Sequence, residues 1–189
     1  MKHLLLSEIQ LIEDCKRGIK ASQYELVKRY SAMLMAVCRR YTQDEASAKD
    51  VLQESLIRIF KSMHQYQAKG SFEGWMKRIT VNRALSWIDR SKFHTDAELS
   101  DLMVEQLATV PEVYNYLGLE AIQQIVDGLP SGFRIIFNLH VHEGYAHAEI
   151  AQLLGISEST SRSRLSRARK ILQQQLSTSS NSFSKSKLL

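Results

Sequence analysis

Arg162, Arg164, Arg167, Arg169 and Lys170 crowd one short stretch of this 189-residue chain, opposed there by a single acid, Glu158. Side chains of this kind pair with phosphates without help from a cofactor, and a guanidinium can also fork onto a guanine edge. The preceding residues give that charge a frame. His147 to Leu154 carries a short apolar stripe, Ile150, Ala151 and Leu154, at helical spacing. Gly155 suits a left-handed turn, Ile156 can anchor that turn in the core, and Ser157 suits the N-cap of a second helix. On that second helix Leu165, Ala168, Leu172 and Leu176 share one face. Thr160, Ser163 and Arg167 point the other way, flanked by Arg162 and Ser166. The pattern predicts a helix-turn-helix whose second helix can enter a DNA major groove. The plainer reading of this segment alone is a solvated basic face on an ordinary helical hairpin.

A second stretch mixes rings with cations. Phe72, Trp75, Ile79, Leu85 and Trp87 alternate with Lys77, Arg78, Arg83, Arg90 and Lys92, and Asn82 lies among them. Bases stack on rings while phosphates pair with cations, so this interleaving suits a single strand. The competing reading puts both tryptophans in the core and leaves the cations as solvated surface.

Charge along the chain supports two separate contacts with a polyanion. Net charge is +5 overall, made of +7 over residues 1–95, −8 over 96–157 and +6 over 158–189. The 44% hydrophobic and 24% charged content is that of an ordinary soluble chain. Two prolines and eight glycines favour helices over a turn-rich β fold. No apolar run is long enough to span a bilayer, and acids follow the short N-terminal apolar patch at once, so neither membrane insertion nor a signal peptide is expected. Cys15 and Cys38 are too far apart for a metal-type pair and suggest a reducing, cytoplasmic setting.

The elements that must position these residues read as helices throughout. Leu5, Ile9 and Ile12 open a helix that stops near Gly18. A second runs from about Ser22 to Tyr41 with Val27, Tyr30, Leu34, Val37, Cys38 and Tyr41 as its stripe, making Cys38 a small buried hydrophobe. A third begins after a cap at Thr42–Asp44 and ends near His64, burying Leu52, Leu56, Ile59 and Met63 with Val51 and Phe60 beside them. Asp50, Gln53 and Glu54 share a polar patch on it. Tyr66–Ser71 is a loop. Residues 93–117, acidic and without Lys or Arg, read as a linker, partly helical at most. Gly118–Gly128 forms a helix with Leu119, Ile122, Ile125 and Val126 inside, and Leu129-Pro130 breaks it. Ser131–Val141 forms the next, carrying Phe133, Ile136, Phe137 and Leu139. The polar tail 177–189 is expected to be disordered. The expected fold is therefore all-α: a domain over 1–92, a linker over 93–117, a helix-turn-helix domain over 118–176 and a tail.

These residues together resemble a bacterial RNA polymerase sigma factor of the sigma-70 superfamily, extracytoplasmic-function group. DVLQESLIRIF (Asp50–Phe60) is similar to the family's core-polymerase-binding helix, FEGWMKRITVNRALSWIDR (Phe72–Arg90) to its −10 helix, and Leu129–Arg169 to its −35 domain. The order and spacing of all three carry the resemblance, which covers nearly all of residues 5–173. It implies that Asp50, Gln53 and Glu54 meet the clamp helices of the polymerase largest subunit, and that the C-terminal domain meets the flap of the second-largest. It also implies that Tyr66, Phe72, Trp75, Lys77, Arg78, Asn82 and Arg83 lie along the melting −10 strand, with a flipped base held by the Tyr66–Ser71 loop. Thr160, Arg162, Ser163, Ser166 and Arg167 would face the −35 duplex. An anti-sigma partner is common in the family and leaves no mark in the sequence. Three positions depart from the pattern: Ala146 stands where a Ser or Thr cap is usual, Ser159 where Gly is common, and Ser161 where Val commonly packs.

The alternative is a stand-alone helix-turn-helix transcriptional regulator with a sensing N-terminal half; Asp50–Arg90, which looks like polymerase and strand contacts rather than a pocket, argues against it. An enzyme is not expected. No phosphate-cradling glycine loop or nucleophile–base grouping is present. His140, His142 and His147 invite a metal, but the first two would lie roughly 200° apart on a helix and no cysteine or carboxylate spacing completes a site. No cofactor is expected.

Overall fold

The computed structural model describes residues 7–88 and 119–186, with side chains described over 7–88 and 123–176. All regular structure among the described residues is helical. The chain divides into two compact units at Ile88. The expected acidic linker lies outside the described residues.

In the N-terminal unit α1 spans Glu8–Lys16, α2 Lys20–Tyr41, α3 Glu45–Ser62 and α4 Phe72–Trp87, with a 3-10 turn at Met63–Gln65. Three of the four starts are capped by a side chain, that of α2 being the exception. Ser7 accepts from the Gln10 N–H (3.2 Å), Asp44 from Ser47 (2.8 Å) and Ser71 from Gly74 (3.0 Å), satisfying amides that the first turn leaves unpaired. Gly18 ends the first helix region at φ +77°. At the α2–α3 corner, Arg39 Nε and Nη2 donate to the two carboxylate oxygens of Glu45 (2.8 Å each).

Helices α2, α3 and α4 pack mutually, and α1 lies on α2. The core joins Leu11, Leu26, Leu34, Ile59, Met63, Phe72 and Met76. Its seam on α3 differs from the expected one. Ala48, Val51, Ser55, Ile59 and Ser62 are buried, whereas Leu52, Leu56 and Phe60 are half-buried beside them. Small residues on this seam leave room for α2 and α4, which both pack on α3. Their hydroxyls are satisfied internally: Ser55 donates to the Val51 carbonyl (2.6 Å), and Thr80 on α4 to that of Met76 (3.0 Å). On α2 the inward residue is Leu26 rather than Val27. Cys38 is fully buried, as expected, and Cys15 is buried too.

The C-terminal unit contains α5 (Leu119–Asp127), α6 (Ser131–Phe137), α7 (His147–Leu154) and α8 (Glu158–Ser186). Its core includes Leu129, Phe133, Ala168 and Ile171. The helix expected over Ser131–Val141 widens at Asn138 into a π turn reaching His142, where the Glu143 N–H bonds the Asn138 carbonyl (3.0 Å). Gly144 follows at φ +76°. On α8 the buried face is Ser161, Arg164, Leu165, Ala168, Ile171 and Gln175; Leu172 is half-buried and Leu176 exposed. This helix runs on to Ser186 where a disordered tail was expected from 177. No proline or glycine interrupts Ser177–Ser186, so nothing local terminates the helix.

Candidate nucleic-acid interface

In the N-terminal unit the loop between the 3-10 turn and α4 carries an aromatic platform. Phe72, the first residue of α4, is fully buried. Its ring stacks on Trp75 (centroids 5.7 Å, 17°), tilts against Tyr66 (5.1 Å) and meets Tyr30 edge-on (5.8 Å, 82°). Tyr66 and Trp75 are half-buried above it with their own rings 5.4 Å apart. The Tyr66 hydroxyl donates to the Gly70 carbonyl (2.7 Å), which holds the loop closed. Beside the platform is an open cavity of about 410 Å³, lined by Tyr66, Lys69, Gly70, Trp75 and Arg78 among others. That is room for a nucleobase between rings and cations.

A second hollow, about 570 Å³, runs between α3 and α4 and shares Gln65 and Trp75 with the first. Glu54, Arg58 and Lys61 line it from α3, and Asn82 and Arg83 from α4. Glu54 and Arg83 form an ion pair across it. Asp50 and Gln53 are exposed on α3, Lys77 pairs with Glu73 (2.7 Å), and Arg78 and Asn82 are exposed on α4.

In the C-terminal unit Gly155 makes the turn at φ +67°. Ser157 then accepts from the Thr160 N–H (3.0 Å) to start α8. Arg162, Ser163, Ser166 and Arg167 are exposed and Thr160 half-buried. Arg162 pairs with Glu158 (2.7 Å). Ala146 has no oxygen to cap α7, so only half a capping box forms: the Ala146 N–H donates to Glu149 (3.0 Å). Buried Ser161 is hydrogen-bonded to His147 Nδ1 (2.9 Å), and the His147 ring stacks on His140 (4.5 Å, 12°). His140 donates from Nδ1 to the Tyr145 carbonyl (3.0 Å), since a carbonyl can only accept. Burial, then the charges of His140, Arg162 and Arg169, hold the His147 base below its ordinary value, with Glu158 opposing. Among the described residues no group of three or more His, Cys, Asp or Glu is placed to hold a metal ion.

The family models for Sigma-70 region 2 and Sigma-70 region 4 match residues 26–93 and 119–172, one in each unit. The ECF RNA polymerase sigma factor SigE of Mycolicibacterium smegmatis is 32% identical over 166 residues. The chain belongs to the extracytoplasmic-function group of sigma-70 factors. The SigE alignment covers 86% of this chain and 64% of SigE, less than two thirds of that protein's length. A protein of Xanthomonas campestris named "Probable RNA polymerase sigma factor RfaY" is 30% identical over 84% of this chain and 41% of its own. The fold is similar to that of CnrH, solved in complex with the cytosolic domain of CnrY, at a TM-score of 0.51 and 20% identity over 89% of this chain and 96% of the other.

The structure of this sigma factor brings Tyr66, Trp75 and Arg78 together around one cavity and Asn82 and Arg83 around the next. It separates Phe72 from both. A fully buried ring cannot touch DNA, so Phe72 belongs under the platform and not on it. Lys77 lines neither cavity and is engaged by Glu73. Sequence reasoning missed Arg58, Lys61 and Lys69. The first two stand four and seven residues after Glu54, which puts them on its helical face, and Lys69 is the one cation in the predicted loop. Arg164 is the opposite case, a member of the arginine cluster that is buried and so does not face outward with Arg162 and Arg167.

Proposed function

We propose that this sigma factor binds core RNA polymerase and directs promoter-specific initiation, region 2 capturing the melted −10 strand and region 4 reading the −35 duplex. It is a specificity subunit that works where polymerase works, in the cytoplasm, and synthesis itself is done by the polymerase. The observation that carries the reading is the ring-and-cation cavity at Tyr66, Trp75, Lys69 and Arg78. Opening DNA costs stacking of roughly 1.4 kcal/mol per base-pair step. A base rebound against a ring recovers roughly 1–3 kcal/mol, so a single captured base can offset one opened step. No nucleotide hydrolysis is required.

In this reading Tyr66 and Trp75 stack bases, and Arg78, Asn82 and Arg83 hold the strand. Phe72 supports the rings from below. Asp50 and Gln53, exposed on α3, and Glu54, at the edge of the hollow between α3 and α4, meet cationic groups on the polymerase clamp. Arg162, Ser163, Ser166 and Arg167 enter the −35 major groove, with Thr160 at its edge. An anti-sigma protein, common in the family, would compete for the same surfaces.

The test is transcription in vitro with core polymerase on genomic templates, followed by start-site mapping. Start sites that appear only with the added chain support the reading. Polymerase that selects no start site on any cognate template refutes it. Co-elution with core polymerase in the absence of DNA, lost in the Asp50→Ala/Glu54→Ala variant, separates a sigma factor from a stand-alone regulator.

A further inference from the structure

One polar cluster in region 4 has no part in the function proposed above. Three elements meet in it: His140 from the π turn, His147 from the first turn of α7 and Ser161 from α8. The His140 and His147 rings stack at 4.5 Å and 12°. His140 Nδ1 donates to the Tyr145 carbonyl, and His147 Nδ1 is held by the Ser161 hydroxyl at 2.9 Å. Ser161 is fully buried, so its hydroxyl needs this partner. His147 is half-buried, and its Nε2 takes no hydrogen bond among the described residues.

We propose that this histidine pair couples the grip of region 4 on duplex DNA to proton uptake, with His147 becoming an extra cation for a backbone phosphate. The inference rests on the assignment of α8 to the −35 duplex. The ring is anchored at Ser161, between Thr160 and Arg162 in the chain, so it borders the face that reads the groove. Nδ1 is occupied on the protein side, which leaves Nε2 for a phosphate oxygen. The Ser161 hydroxyl can accept as well as donate, so Nδ1 can gain a proton without losing that bond. Like charges on stacked rings repel, so the pair takes up one proton and not two.

The charges facing His147 set the direction. The elements packed on α7 are α8, which presents Glu158, Arg162 and Arg169, and the π turn, which presents His140. In the free protein burial first, then His140, Arg162 and Arg169, hold the His147 base below its ordinary value, and Glu158 opposes them. A phosphate at this edge offsets the arginines and adds negative charge beside the ring, which reverses that bias. Duplex binding therefore takes up a proton, and binding tightens as pH falls. By linkage, a phosphate that raises the ring's proton affinity about tenfold makes the protonated protein bind about tenfold tighter.

The experiment measures binding of the full chain, without polymerase, to a fluorescein-labelled duplex of about twenty base pairs at low salt. A mixed sequence suffices, since a phosphate contact needs no particular base. Anisotropy is read from pH ~7.5 down to ~5.5, and circular dichroism at each pH confirms that the helices persist. Wild type should bind about three- to tenfold tighter at the acid end, with a log K against log[salt] slope steeper there by up to about 0.9. His147→Gln should abolish both changes. His140→Phe keeps a ring in the stack and removes its competing charge, so the tightening should begin at higher pH. His142→Gln, on the same turn but with its ring against Phe137, should leave the tightening intact. In NMR titrations the His147 ring should protonate at higher pH with duplex bound than without it. Binding that does not tighten, or tightening that survives His147→Gln, overturns the coupling. Start-site-selective transcription by wild type with core polymerase, run in parallel, tells the two failures apart. If it succeeds while duplex binding ignores pH, the function stands and the coupling is wrong. If it fails, the −35 assignment falls and the coupling falls with it.

Discussion

Phe72→Leu tests whether the platform works from below. Leucine keeps that position apolar and removes three ring contacts, those with Tyr30, Tyr66 and Trp75. Each such contact is worth roughly 0.5–1.5 kcal/mol beyond area burial, and because the rings share one cluster the losses will not add fully. A loss of about 2 kcal/mol of region 2 stability follows, equivalent to a fall in Tm on the order of 10 °C for a domain of this size. Both tryptophans, Trp75 and Trp87, lie in region 2, so tryptophan emission during thermal unfolding reads this unit and not region 4. The functional consequence is separate. Without their floor, Tyr66 and Trp75 no longer hold one geometry, and single-strand affinity should fall about fivefold or more at a temperature where the variant is still folded, up to the loss of one base stack. Binding to −35 duplex, a property assigned to region 4, should not change. A variant that melts early yet binds the single strand as wild type does would show that the rings position themselves, and the supporting role of Phe72 would be refuted.

Other expectations follow from single contacts. Arg167→Ala should weaken −35 duplex binding, lower the steepness of its salt dependence by about 0.9 and leave polymerase co-elution intact; equal loss of both would break the division of labour. Gly155→Ala forces a Cβ into the left-handed region, where nothing lies within 4 Å to clash, so the cost is backbone strain alone, roughly 1–2 kcal/mol of region 4 stability in a urea melt followed by circular dichroism. The His147 base is depressed in the folded protein, so the unfolded chain takes up the proton first. Region 4 stability should be full above the ordinary value of 6.5 and decline as pH falls below it. Circular dichroism melts between pH ~7.5 and ~5.5 check this, and His147→Gln should flatten the dependence. Neither thiol should react with a disulfide reagent until the chain unfolds, because burial raises Cys15 to about 11 and Cys38 to about 12.

Much of this architecture could be read from residue spacing. The apolar period of α2, the caps at Asp44 and Ser157 and the turn at Gly155 were all legible, since each depends on a few neighbouring residues. What failed was the phase of burial. On α3 the leucines drew the expected seam to Leu52 and Leu56, while the buried residues are Ala48, Val51, Ser55, Ile59 and Ser62. Small polar residues look like surface in a sequence, and only the approach of a second helix reveals them as spacers. The same error moved the seam of α8 to Leu172 and Leu176 and hid Ile171 and Gln175. Interleaved rings and cations likewise could not show that Phe72 is the floor and Trp75 the wall, because that depends on Tyr30 and Tyr66 arriving from other elements. The Glu54–Arg83 pair was beyond reach for the same reason: its members are 29 positions apart on different helices.

The two sealed cysteines have a consequence for signalling. They are the chain's entire stock of thiols, and both are sunk into the first helical unit with ionisation suppressed. An oxidant in the cell would find no thiolate here to modify. If the genes this factor switches on answer oxidative injury, the sensing must happen upstream, on another molecule, and reach this one as a change in what is bound to it.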